Sequence, residues 1–186
     1  MILEIEAGMA KITSVTPLAE KIGKKRRPAH SVIFEFQREN TAMSPFHPLL
    51  RDSFYMKPER PAEEKRTGQK KLDVSNTADG KSALKFPWWA QWIELPGELT
   101  GYEVRLHTGN TPKSHIVLDD AKIGGFLMLP KPDGIVLLRL KAIVHPGASE
   151  KGRIDELLQS ELPVSITPPS DGQGELIGGG GGDGDE

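Results

Sequence analysis

The stretch AKIGGFLMLPKPDGIVLLRLKAIV, Ala121 to Val144, decides how this chain folds. Its centre, Pro130-Lys131-Pro132-Asp133-Gly134, is a turn sequence, because proline fixes one φ and glycine supplies the positive φ that a reversal needs. On the C-terminal side Val136, Leu138, Leu140, Ala142 and Val144 alternate with other residues, so they share one apolar face, and Arg139 and Lys141 mark the solvent face. The N-terminal side, Ala121 to Leu129, is the partner strand. Its Gly124-Gly125 predicts a bulge or a close backbone approach. The segment is therefore a β-hairpin with one buried face.

The same period of two recurs outward from it. Val32, Phe34 and Phe36 alternate with Glu35 and Gln37, Tyr102, Val104 and Leu106 alternate with Glu103, Arg105 and His107, and Val117 lies in the apolar run His115 to Leu118. Pro48 to Tyr55 reads as a turn or two of helix. Ser149 is a candidate cap for a helix over Glu150 to Leu162, with Ile154, Leu157, Leu158 and Leu162 on one side, ended by Pro163 and followed by a strand from Val164 to Thr167. These elements predict a mainly β domain over residues 9–168, a barrel of OB-like type or a sandwich of about seven strands with one short C-terminal helix. A charged, proline-containing loop is expected at about 57–81, and a Gly-rich acidic tail that cannot fold alone at 169–186.

With 186 residues, 37% hydrophobic and 27% charged, the chain suits one domain plus appendages. No apolar run is long enough for a membrane span and no signal peptide is apparent, so the expected setting is soluble and cytoplasmic. Zero cysteines exclude disulfides, thiolate metal sites and a cysteine nucleophile. The net charge of −2 hides a polarised chain. Lys11 to Lys71 holds fourteen basic and seven acidic residues, whereas the end from Pro168 holds five acids and no base. A basic half calls for an anionic partner or is merely solvated surface.

A search for catalytic chemistry returns little. His30, His47, His107, His115 and His145 show no metal-ligand spacing, and Asp119-Asp120 downstream of His115 reads better as turn residues than as ligands. There is no phosphate-binding glycine loop and no serine elbow. The expectation is a protein that is not an enzyme and carries no cofactor or metal.

Nucleic-acid features are denser. Phe86, Trp88, Trp89 and Trp92 lie close together beside Lys81 and Lys85, and adjacent Trp88 and Trp89 on an alternating strand would point to opposite faces. An exposed ring beside cations is what single-stranded DNA needs. The competing reading packs Trp88 and Trp92 into the core and lays Trp89 over an edge. Lys24-Lys25-Arg26-Arg27 followed by Pro28 reads as an exposed β-loop able to reach phosphates.

The tail, Gly178 to Gly182 followed by Asp183-Gly184-Asp185-Glu186, resembles the acidic tips of single-stranded DNA-binding proteins. In that family the tip recruits partners and competes with DNA, which implies partner binding by Asp183, Asp185 and Glu186. The bacterial members end in a hydrophobic residue after the acids, whereas the last residue here is Glu186. A second resemblance runs through Asp119-Asp120, Lys122, Gly125-Phe126, Asp133-Gly134, His145-Pro146, Leu157-Leu158 and Ile166-Thr167-Pro168-Pro169, which are similar to small accessory proteins of tailed bacteriophages. It implies a bacterial host cytoplasm and a part in phage DNA replication or recombination, or in blocking host defence.

The leading expectation is a non-enzymatic protein that binds single-stranded DNA through Lys24, Lys25, Arg26, Arg27, Lys81, Lys85, Trp88, Trp89 and Trp92. The alternatives are a phage inhibitor of a host nuclease or defence complex, and a virion assembly component. Edge strands of such a domain also permit a homo-oligomer.

Overall fold

The computed structural model describes residues 2–58 and 79–169. Most of the expected loop at 57–81 and the tail, with Asp183, Asp185 and Glu186, lie outside the described residues. The described chain is mainly β. Its six long strands are β1 (Ile5–Ile22), β2 (Lys25–Glu39), β5 (Ile93–Leu106), β6 (Ile116–Lys131), β7 (Ile135–Val144) and β8 (Glu161–Thr167). Two bridges of two residues each, β3 (Tyr55–Met56) and β4 (Ala83–Leu84), pair with each other. Helix α1 is Leu50–Phe54, α2 is Ala148–Glu156, and short 3-10 turns occupy Asn40–Met43 and Pro112–Ser114. No helix among the described residues is long and apolar enough to cross a membrane.

All the long strands pair antiparallel in the order β1-β2-β7-β6-β5-β8, and β8 pairs back onto β1, so the order closes on itself as a barrel rather than a sandwich. The expected hairpin is β6–β7, with Lys131 opposite Ile135 and Pro132-Asp133-Gly134 as its loop. Asp133 and Gly134 both take positive φ there, at 60° and 70°. The alternation read from sequence is the alternation of burial: Val32, Phe34, Phe36, Val136, Leu138, Leu140, Ala142 and Val144 are all almost fully buried. They fill the barrel with Ile12, Ile123, Phe126, Met128, Val104 and Val164, each large side chain stabilising the fold by roughly 1.5–3 kcal/mol.

Closing six strands requires sharp local bends, and bulges provide them. The predicted bulge is present at Gly124–Gly125, where the β6–β7 register shifts and Gly125 sits at φ +58° against Cβ of Lys141. Further shifts fall at Ile5/Gly8 and Ile12/Ser14 in β1 and around Gly97 and Gly101 in β5.

Three expectations change. The runs His115–Leu118 and Ala121–Leu129 are one strand, β6, kinked through Asp120 at φ +54°. The helix begins after Gly147, whose N–H donates to Oε2 of Glu150 at 2.7 Å, and Ser149 is not its cap. Leu162 belongs to β8 because Gln159 at φ +65° turns the chain out of the helix and Glu161 pairs with Lys11. Leu3 and Ile5, ahead of these elements, are buried in the core.

Candidate nucleic-acid interface

The basic cluster lies on a ribbon. Strand β8 leaves β1 at Lys11, and β7 ends at Val144 opposite His30, yet β1 and β2 go on pairing from Pro17 with His30 to Ile22 with Lys25. Gly23, at φ +60°, and Lys24 make the turn at the end. The cluster is thus split: Lys24 is in the turn, and Lys25, Arg26 and Arg27 open β2 instead of forming a loop. Lys21 pairs with Arg26 on one face and Glu20 with Arg27 on the other. Lys21, Lys24, Arg26 and Arg27 are exposed. Arg27 has Asp120 at 3.7 Å, whereas Lys21, Lys24 and Arg26 form no ion pair with the described residues.

The ribbon is fastened to the barrel from its root to within two residue pairs of its turn. Glu20 Oε2 lies 2.8 Å from Nε2 of the largely buried His145, and buried His30 faces Asp155 of α2 at 3.9 Å. Gln159 and Ser160 hold the β1 edge at Ile12 and Thr13.

The tryptophans are not on an alternating strand. Pro87 sits at the second position of a turn closed by Trp89 N–H to the carbonyl of Phe86 at 3.0 Å, so Trp88 is thrust outward at the turn apex. Trp88 is 75% exposed and Phe86 41% exposed. Aromatic contacts build a mount beneath them: edge contacts from Phe86 to Trp88 at 5.9 Å and from Phe54 to both Trp89 and Phe86 at 5.7 and 6.4 Å, and a tilted contact from Trp88 to Trp89 at 6.1 Å. Neither the core reading of Trp88 nor the opposite-faces argument describes this arrangement. Trp92 is half-buried under the guanidinium of Arg139, 4.3 Å from its ring centroid.

Lys81 and Lys85 serve the mount. Lys81 Nζ meets Asp52 Oδ1 at 2.5 Å, and Lys85 Nζ donates to the Asp52 carbonyl at 2.5 Å. The Lys81 hydrogen bond holds the Asp52 carboxyl below its usual range, and a two-pronged bond from Arg51 does the same for Asp79. Arg51 also donates to Asn40 Oδ1 at 2.6 Å, and the fully buried Asn40 donates to the Lys81 carbonyl at 2.7 Å. This hub is absent from the sequence reading, since its members are far apart in the chain and carry no spacing signal.

The two features lie at opposite ends of the barrel wall. Strand β2 runs from Arg27 at the ribbon to Glu39 beside the Asn40 hub, about 40 Å at ~3.3 Å per residue. The nine residues expected to form one basic and aromatic surface therefore form two. Elsewhere, His107 and His115 pack edge to face at 4.7 Å, and His107 Nε2 lies 2.7 Å from Ser165 Oγ. Burial, His115 and Arg105 together push the His107 pKa down. No cluster of three or more metal-ligating side chains occurs among the described residues. No family model, curated protein or solved structure matches this chain.

Proposed function

We propose that this is a non-enzymatic nucleic-acid-binding protein, with single-stranded DNA stacking on Trp88 and the cations of the β1–β2 ribbon forming a separate surface for nucleic-acid phosphates. The observation that carries the reading is the state of Trp88, a large aromatic ring 75% exposed on a mount of three other aromatics. A surface that leaves an indole in water while its neighbours are tied down is suited to a flat ligand, and a base stacked on it contributes roughly 1–3 kcal/mol. Lys21, Lys24 and Arg26 add cations that no described carboxylate neutralises. A bacteriophage setting in a host cytoplasm is part of the same proposal.

The test is fluorescence anisotropy of a labelled single strand titrated with the protein at two salt concentrations, following intrinsic tryptophan emission in parallel. Binding that quenches emission and weakens as salt rises is the expected result. Absence of binding at low salt overturns the reading. It would turn attention to a protein partner on the exposed face of Phe86 and Trp88.

A further inference from the structure

We propose that the β1–β2 ribbon is an arm that enters the major groove of duplex DNA, giving the protein a second nucleic-acid surface distinct from the Trp88 mount. This rests on the nucleic-acid reading above and names the ligand of one end of the barrel. Shape is the first argument. Two paired strands lie about 4.8 Å apart, and with side chains they match a groove about 12 Å wide, whereas the minor groove, about 6 Å wide, is too narrow. A single strand offers no groove, and the deep, narrow major groove of duplex RNA does not admit side chains.

Charge placement is the second argument. Lys21 and Arg26 sit directly opposite each other on separate strands, so their long side chains splay toward the two walls of a groove. Lys24, at the turn, leads into it. The fixed position of the ribbon is the third. Glu20 with His145, two residue pairs short of the turn, holds the ribbon to the barrel and leaves the Lys21–Arg26 tip to enter the groove, so little ordering is required on binding. Pro17 and Pro28 remove two N–H donors from the ribbon, which makes it a poor template for a further β-strand and argues against a second copy as the occupant.

The experiment uses the full chain with a duplex DNA, a single strand of equal length and a duplex RNA, across a salt series. The double variant Lys24→Glu/Arg26→Glu should weaken duplex DNA binding by about tenfold or more and flatten the slope of log K against log salt by about 2. Its single-strand affinity should stay within about twofold of the parent. The milder Lys24→Gln/Arg26→Gln should move the same way, and an unchanged melting temperature for either pair shows that the fold is intact. Methyl green, a major-groove ligand, should displace the protein from duplex DNA, and netropsin, a minor-groove ligand, should not. The proposal is overturned if duplex DNA does not bind while the single strand does, if the charge variants weaken both DNAs equally, if duplex RNA binds as well as duplex DNA, or if netropsin is the competitor. Failure of every nucleic acid to bind overturns the underlying reading instead.

Discussion

Arg139 lies with its guanidinium 4.3 Å from the centroid of Trp92 while its Nη2 donates to Glu35 Oε2 at 2.6 Å. One side chain thus joins the approach to β5 to the outer faces of β7 and β2. Trp92 has a cation over its ring and Arg139 has a carboxylate against it, so both are committed to the fold. Arg139→Met should lower stability by about 1–2 kcal/mol, an estimate already discounted for the partial exposure of the ion pair. Urea denaturation measures this, and DNA affinity should be unchanged.

Trp88 is the opposite case. Trp88→Ala should leave stability within about 0.5 kcal/mol of the parent, since the ring buries little. It should weaken single-strand binding by about 1–3 kcal/mol and remove most of the quenching. Trp92→Ala should reverse the pattern, lowering the melting temperature with little effect on binding.

The contrast between these two tryptophans shows where sequence reading stops. The strands were legible because burial repeats with period two, as at Val32, Phe34 and Phe36, and the Gly124–Gly125 bulge was legible because only a bend needs those residues there. Barrel closure was not, because Glu161–Thr167 must find both β1 and β5 across long sequence separations. Leu162 fits a helical spacing from Leu158, but the helix ends at Glu156 and the left-handed Gln159 turns the chain toward β8. Pro87 turned an apparent strand into a projecting turn. Lys81 and Lys85 looked like available cations because Asp52, which occupies them, is some thirty residues upstream.

Tyr55 closes the floor of the barrel. Its hydroxyl is placed against the carbonyls of Lys131 and Ile135 and accepts the Lys131 N–H at 3.1 Å. Tyr55→Phe leaves buried polar groups unpaired and should cost about 1–3 kcal/mol. Burial pushes the Tyr55 pKa up to about 12. A pKa raised in the folded state means that the unfolded chain ionises first, so stability should fall as pH rises from about 10 to 12. Thermal melts of the parent and Tyr55→Phe over that range check this, and the variant should lose stability less steeply.

The Trp88 mount should release in acid. Asp79 and Asp52 have pKa values held down, first by hydrogen bonds from Arg51 and Lys81 respectively. Depressed carboxyls stabilise the fold above their unfolded value, about 3.9, and lose that contribution as pH falls through the folded values. Tryptophan emission should therefore hold steady from neutral pH to about 4 and change below it. Asp79→Asn should shift the emission at neutral pH toward that of the acid form.

The most direct test of two separate nucleic-acid surfaces is a competition at fixed salt. Protein saturated with a fluorescent single strand is titrated with unlabelled duplex DNA while the anisotropy of the strand is followed. If Trp88 and the ribbon bind independently, the single strand stays bound and anisotropy rises as the duplex joins the complex. Stoichiometric displacement of the single strand by the duplex would show one shared surface and contradict the account.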